Sequence, residues 1–256
     1  MNEQALSSDT RSLHYSSTPS KRDALAISKA LLSVLVIVGA YFTIGTSLKA
    51  ATSDLMIAGY EVKWSILTSA ILSAGVLLWV KQTRGSLVSL GFKRPPSYAK
   101  GIAMALASVV VAYAAVLIPV STLSYFGLLP APTEGVSKLI VDGPNLALAL
   151  LFSQLLMWVN AAFGEELLFR GFLQNNLERA FGGESWRNGL MAAGVVALAF
   201  GAMHVPSQGP TGLFVTGIVG LMLGALFILG KRSLFTVVMA HGFINTTSHL
   251  LTAAQG

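Results

Sequence analysis

Two adjacent carboxylates, a guanidinium, two imidazoles and a carboxamide stand at spacings that suit the hydrolysis of an amide bond. In "FGEELLFRGF" (163–172), Glu166 and Arg170 are four residues apart, so on a helix they share a face and can pair. Glu165 is rotated from its neighbour by about 100°. One carboxylate is thus neutralised by its own helix while the other points elsewhere. His204 ends "VVALAFGAMH", and His241 lies within "FTVVMAHGFINTTSHLL" with Asn245 one turn further on the same face. A carboxylate can take a proton from water, and one imidazole can help position that water. The second imidazole and the amide can donate hydrogen bonds to the developing oxyanion. Alternatively, His204 and His241 ligate a divalent metal such as zinc, which activates the water. Residue types and spacing leave both routes open, the metal-free one included. The plain reading of the charged trio is a helix end emerging into water, and of a lone histidine a hydrogen-bonded core residue. Two histidines with a free carboxylate weigh against it. His14 and His249 suggest no chemistry.

The elements that must position these groups are apolar. Hydrophobic residues make up 54% of the 256-residue chain and charged residues only 11%, with a mean hydropathy of +0.68. A soluble domain carries roughly 25% charged residues. The composition therefore predicts an all-α, polytopic transmembrane helical bundle of about seven helices. Long continuous apolar runs set a β-barrel aside. The chain has no cysteine, which excludes disulfides, thiolate metal sites and cysteine nucleophiles.

Apolar runs place the spans near Ala30 to Leu48, Val62 to Val80, Ala99 to Phe126 (with Pro119 as a kink), from Asn145 onward, Asn188 to Met203, Leu213 to Leu229 and Leu234 to Leu251. Residues 1–22 are polar and rich in Ser and Thr, which predicts a disordered tail ahead of a transmembrane domain at 23–256. No cleavable signal is expected, so the first span acts as an uncleaved anchor. The net charge of +6 reads as loop lysine and arginine rather than a nucleic-acid surface. Lys81, Arg84, Lys93, Arg94, Lys100, Arg179, Arg187, Lys231 and Arg232 fall on one set of connections. The positive-inside rule then predicts an inside amino terminus and an outside carboxyl terminus. Charged groups are costly at bilayer depth. The fourth helix is therefore expected to continue through the charged stretch toward Glu178, with Glu165 near mid-depth. "VPSQGPTG" after His204 is expected to be a loop recessed into the protein.

The motifs resemble a known family. "EELLFR" (Glu165 to Arg170) is similar to the EExxxR motif of the CAAX-protease and bacteriocin-processing (CPBP, Abi) family of intramembrane proteases. "FGAMH" (Phe200 to His204) looks like its FxxxH motif, and "HGFIN" (His241 to Asn245) like its HxxxN motif. Their order and apolar setting also fit, over a core at about 145–250. "SLGFKRPP" resembles the basic connector ahead of that core, more softly. The resemblance implies that Glu165 is the general base and that Glu166 and Arg170 support the site. It implies that His204 assists water activation or binds metal, and that His241 and Asn245 stabilise the oxyanion, with His241 an alternative ligand. The expected partners are the bilayer and a membrane-embedded or membrane-associated protein or peptide substrate, with no nucleic acid. The expected compartment is a bacterial cytoplasmic membrane. Two other classes compete: a non-proteolytic scaffold or bacteriocin self-immunity protein of the same fold, and a proton-coupled carrier titrating Glu165. No inverted repeat supports the carrier.

Overall fold

The computed structural model describes residues 21–53, 55–129 and 141–253. Residues 1–20 of the expected tail lie outside the described residues, whereas Lys21 and Arg22 already belong to the first helix. Among the described residues six helices form the bundle: α1 (Lys21–Thr52), α2 (Thr68–Gln82), α3 (Tyr98–Tyr125), α4 (Leu146–Ala180), α5 (Trp186–Leu229) and α6 (Leu234–Ala253). Of these, α1, α3, α4 and α5 are long and apolar enough to cross a membrane. The chain is a multi-pass integral membrane protein.

The count of about seven helices becomes six because the expected fifth and sixth spans are one element. The "VPSQGPTG" stretch is helical rather than a loop, and only Gly209 (φ 67°, ψ −169°) leaves the helical region, between Pro206 and Pro210. Only glycine tolerates that conformation without cost. The two limbs of α5 fold back on each other there along a seam of small residues. A Cβ on Gly201 would lie 2.5 Å from the Leu213 carbonyl oxygen, one on Gly224 2.7 Å from Ala193 Cβ, and one on Gly189 2.8 Å from Ile228. The expected second span also shortens. Tyr60–Val62 pairs as a strand, and α2 begins only after a single 3-10 turn, Trp64–Leu67.

That strand (β2, Tyr60–Val62) is the centre of a small antiparallel sheet with β1 (Met56–Ile57) and β3 (Val141–Asp142). The sheet caps one end of the bundle. The basic connections meet at the other end. There Leu234 N donates to the Gly91 carbonyl (3.0 Å), Ser233 Oγ to the Lys93 carbonyl (2.9 Å) and Asn175 Nδ2 to the Ser89 carbonyl (3.1 Å). Arg232 Nε also donates to buried Glu178 (2.8 Å), a bond that raises the arginine above its ordinary range. Between these ends α4 runs through the charged stretch to Ala180. Its core segments Trp158–Glu165 and Leu167–Gln174 are wound in the wide π form. Such winding is rare and tends to mark functional positions.

The seam gives a matched test. Gly194 has open space around its missing Cβ, whereas Gly201 meets backbone. Gly201→Ala should destabilise the detergent-solubilised protein by about 1–3 kcal/mol, as overpacking does. Gly194→Ala, in the same limb, should be neutral or mildly stabilising. Thermal unfolding of the two variants checks this, and equal melting would contradict the hairpin.

Candidate active site

The site is built around α4, which the flanking helices approach at glycines. Gly164 rests on the backbone of Ser69 and Ala70 of α2, where a Cβ would have 3.1 Å of room. Two bonds fasten that contact: Ser73 Oγ donates to the Gly164 carbonyl (2.7 Å), and Ala70 N donates to Asn160 Oδ1 (2.8 Å). On the other flank Gly242 of α6 faces the Trp158 ring, leaving only 2.4 Å for a Cβ. One residue before that contact stands His241, and one residue after Gly164 stands Glu165. Close helix approach therefore delivers the polar groups to one another.

The adjacent glutamates are both buried, yet they do different things. Glu166 Oε1 accepts from Arg170 Nη1 at 2.8 Å and lies 2.7 Å from His241 Nδ1. Arg170, wholly buried, also donates through Nη2 to the Gly220 carbonyl of α5 (2.7 Å) and stacks its guanidinium over Phe200 (5.0 Å). Three helices are thus tied through one carboxylate. Glu165, by contrast, has no hydrogen-bond partner among the described residues. It interacts electrostatically with His204 and His241.

Each histidine is oriented through Nδ1. His204 Nδ1 lies 2.8 Å from the Phe200 carbonyl. A carbonyl only accepts, so that nitrogen carries the proton and a neutral ring keeps its lone pair on Nε2. His241 Nδ1 faces Glu166, which turns its Nε2 away from that carboxylate. Phe200 packs against both rings, tilted at 4.8 Å from His204 and edge-on at 6.1 Å from His241. Asn245, half-buried one turn beyond His241, makes no side-chain hydrogen bond among the described residues, so its amide is available.

The structure therefore brings Glu165, Glu166, Arg170, His204 and His241 into one electrostatic cluster, with Asn245 on the same face of α6 as His241. Three contributors were not legible as such. Phe200 is the aromatic hub, the Gly220 carbonyl receives Arg170, and Glu166 holds His241 as well as Arg170. Phe200 carried a signal, since it precedes His204 by one helical turn. The carbonyl carried none. His249 is buried at the far end of α6 with Nδ1 unpartnered, away from this cluster; His14 lies outside the described residues.

A resident metal needs three or four converging donors. Among the described residues no three His, Asp or Glu side chains are arranged to hold one. Glu166 is committed to Arg170 and His241. The donor set among the described residues does not fit a resident zinc.

The fold and this cluster define a polytopic helical membrane protein with a buried acid–histidine centre. Residues 147–247, which contain every member of the cluster, match the family described as Rce1-like, type II CAAX prenyl endopeptidase Rce1-like. That description falls within the CAAX-protease and bacteriocin-processing family, and the likeness extends over this segment of the chain. No curated protein matches the chain, and no solved structure does.

Truncating one partner of a buried ion pair leaves the other uncompensated, at about 3–5 kcal/mol. Arg170→Met should therefore lower folded stability by about that amount. Adding Glu166→Gln should restore part of it, because the stranded charge is gone. A double-mutant cycle by thermal unfolding measures the coupling; strict additivity would show that the pair is not a stabilising unit.

Proposed function

We propose that the protein is an active intramembrane endopeptidase that hydrolyses a peptide bond in a membrane-associated protein or peptide by glutamate-assisted attack of water. The observation that carries this reading is the division of labour between the two carboxylates. Glu166 is occupied by Arg170 and His241, while Glu165 is buried, unpartnered and within electrostatic reach of two imidazoles. A buried carboxylate without a structural bond is costly to keep. Catalysis explains its retention.

In this reaction Glu165 takes a proton from water as the water oxygen bonds to the scissile carbonyl carbon. His204 accepts a hydrogen bond from that water through Nε2 and fixes its line of attack. The carbonyl becomes a tetrahedral oxyanion, which the Asn245 amide and the His241 ring stabilise by donation. His241 donates at Nε2 only when its ring carries a second proton, since Nδ1 already serves Glu166. Collapse breaks the C–N bond, and the proton held by Glu165 passes to the leaving amine. Water is consumed, and an acid and an amine result. The chemistry proposed is metal-free, supported by a donor set that supplies no three-ligand site.

The substrate proposed is a membrane-anchored peptide or protein rather than a prenylated CAAX terminus. The proposed setting is a bacterial cytoplasmic membrane with the amino terminus inside. The clustering of Lys93, Arg179 and Arg232 at one end of the bundle, opposite the strands, supports that orientation.

Glu165→Gln should remove cleavage, by at least the 10²- to 10⁴-fold of a lost general base, while the melting transition persists. Membrane proteomics of wild type against Glu165→Gln should reveal an uncleaved substrate. Equal processing in both would favour the scaffold reading. A strong chelator should leave wild-type turnover unchanged. Loss on chelation with recovery on adding zinc would overturn the metal-free step. Farnesylated and unprenylated membrane peptides, assayed side by side in vesicles, decide the substrate class.

A further inference from the structure

The basic end of the bundle holds a cavity that the acid–histidine cluster does not use. Its volume is about 350 Å³, within the range of small-ligand sites. Lys93, Arg179 and Arg232 face Glu178 and Glu184 there, three cations against two carboxylates. Glu178 is buried and already satisfied: Arg232 donates to it through Nε and Nη2, and Ser185 N donates to its Oε1 (3.2 Å). Arg232 Nη1 also lies 3.6 Å from Glu184. Lys93 and Arg179 are left without a carboxylate among the described residues, Arg179 donating instead to the neutral Asn176 amide oxygen. Ser86 Oγ accepts from Val88 N (3.2 Å), which leaves its own proton to donate. A second cavity, of about 160 Å³, meets the first at Ser89 and Arg179. Its walls are largely apolar: Trp79 and Val80 of α2, Leu90, and Phe172 of α4. Trp79 is exposed and stands edge-on to Phe172 at 5.7 Å.

We propose that the joined cavities bind an anionic phospholipid: Lys93, Arg179 and the Ser86 hydroxyl take its phosphate, and the groove between Trp79 and Phe172 takes the start of an acyl chain. The charges match, since three cations and two carboxylates leave one positive charge and a phosphodiester carries one negative charge. The setting matches as well. Basic pockets between helices at a membrane boundary suit anionic headgroups, and exposed indoles favour that same depth. The apolar groove separates a lipid from a free phosphate, which would fill only the first cavity. The site lies apart from the cluster, with Glu178 thirteen residues beyond Glu165 on α4, so the proposal does not depend on the endopeptidase reading.

The test titrates the full chain, in detergent, with phosphatidylglycerol or phosphatidylcholine in mixed micelles and follows the melting temperature, which rises when a ligand binds the folded state. Phosphatidylglycerol should raise it and phosphatidylcholine should not. Glycerol 3-phosphate and inorganic phosphate should have no effect at the same concentration. The double variant Lys93→Gln/Arg179→Gln keeps the Glu178–Arg232 pair, so without lipid it should melt as wild type does. Its apparent affinity for phosphatidylglycerol should fall about 10-fold or more. Arg94→Gln/Lys231→Gln removes two exposed cations at the same end but outside the cavity, and should bind as wild type. An equal loss in both double variants would reduce the effect to diffuse surface charge and overturn the site. A full response to glycerol 3-phosphate would make the ligand a soluble anion and overturn the lipid. Native mass spectrometry of wild type in equimolar lipids needs no variant. It should retain one phosphatidylglycerol per chain in preference to phosphatidylcholine, and no preference overturns the proposal.

Discussion

The Glu166–Arg170 pair, completed by His241, is the interaction on which the rest depends. A carboxylate and a guanidinium removed from water face a desolvation cost of several kcal/mol each. In this bundle both are wholly buried. The cost is offset by concentrating contacts: one carboxylate oxygen serves two donors on two helices, and the guanidinium reaches a carbonyl on a third. Removing either member of the ion pair strands the other's charge. The network therefore fixes the relative placement of α4, α5 and α6 more strictly than apolar packing would, because leucine against leucine tolerates sliding and a buried ion pair does not.

Small residues make that placement possible. Apolar helices gain little from association in lipid, so close backbone approach must supply the packing. Glycines at 164, 201, 224 and 242 stand where a Cβ would collide with a neighbouring helix or ring. They bring the backbones near enough for side chains as short as serine and asparagine to bond across the gaps, as Ser73 and Asn160 do. The α5 hairpin is the same device within one element. Its glycine and alanine seam lets the Gly220 carbonyl face Arg170 while Phe200, on the opposing limb, covers the guanidinium.

Much of this was readable from residue order, and the unread part has definite causes. The four-residue spacing of Glu166 and Arg170 gave their pairing, because a helix face is a local property. Long apolar runs likewise gave the helical membrane bundle. The hairpin was less legible: "VPSQGPTG" carries two prolines and two glycines, an ordinary loop composition, yet all but Gly209 stays helical. Proline at 206 and 210 suited the limbs' ends, where fixed φ angles are tolerated. The shortened α2 was hidden because "YEVKW" reads as partly apolar, and strand pairing with Val141 and Asp142 depends on a segment some eighty residues away. Contacts of that kind, such as His241 with Glu166, have no local signature.

Adjacency of the two glutamates is itself part of the design. A helix turns each successive side chain to a new direction, so neighbouring positions sample different surroundings while sharing one backbone anchor. The structural carboxylate at 166 immobilises the backbone that also carries the carboxylate at 165. Rigidity is thereby transmitted to a group that has no bond of its own, and an unbonded carboxylate on a fixed backbone can address water without first breaking a contact. Had one glutamate served both ends, the stronger its bond to Arg170, the weaker its basicity toward water. On the proposed reaction, splitting the roles between consecutive residues removes that conflict, at the point where one wide π segment ends and the next begins.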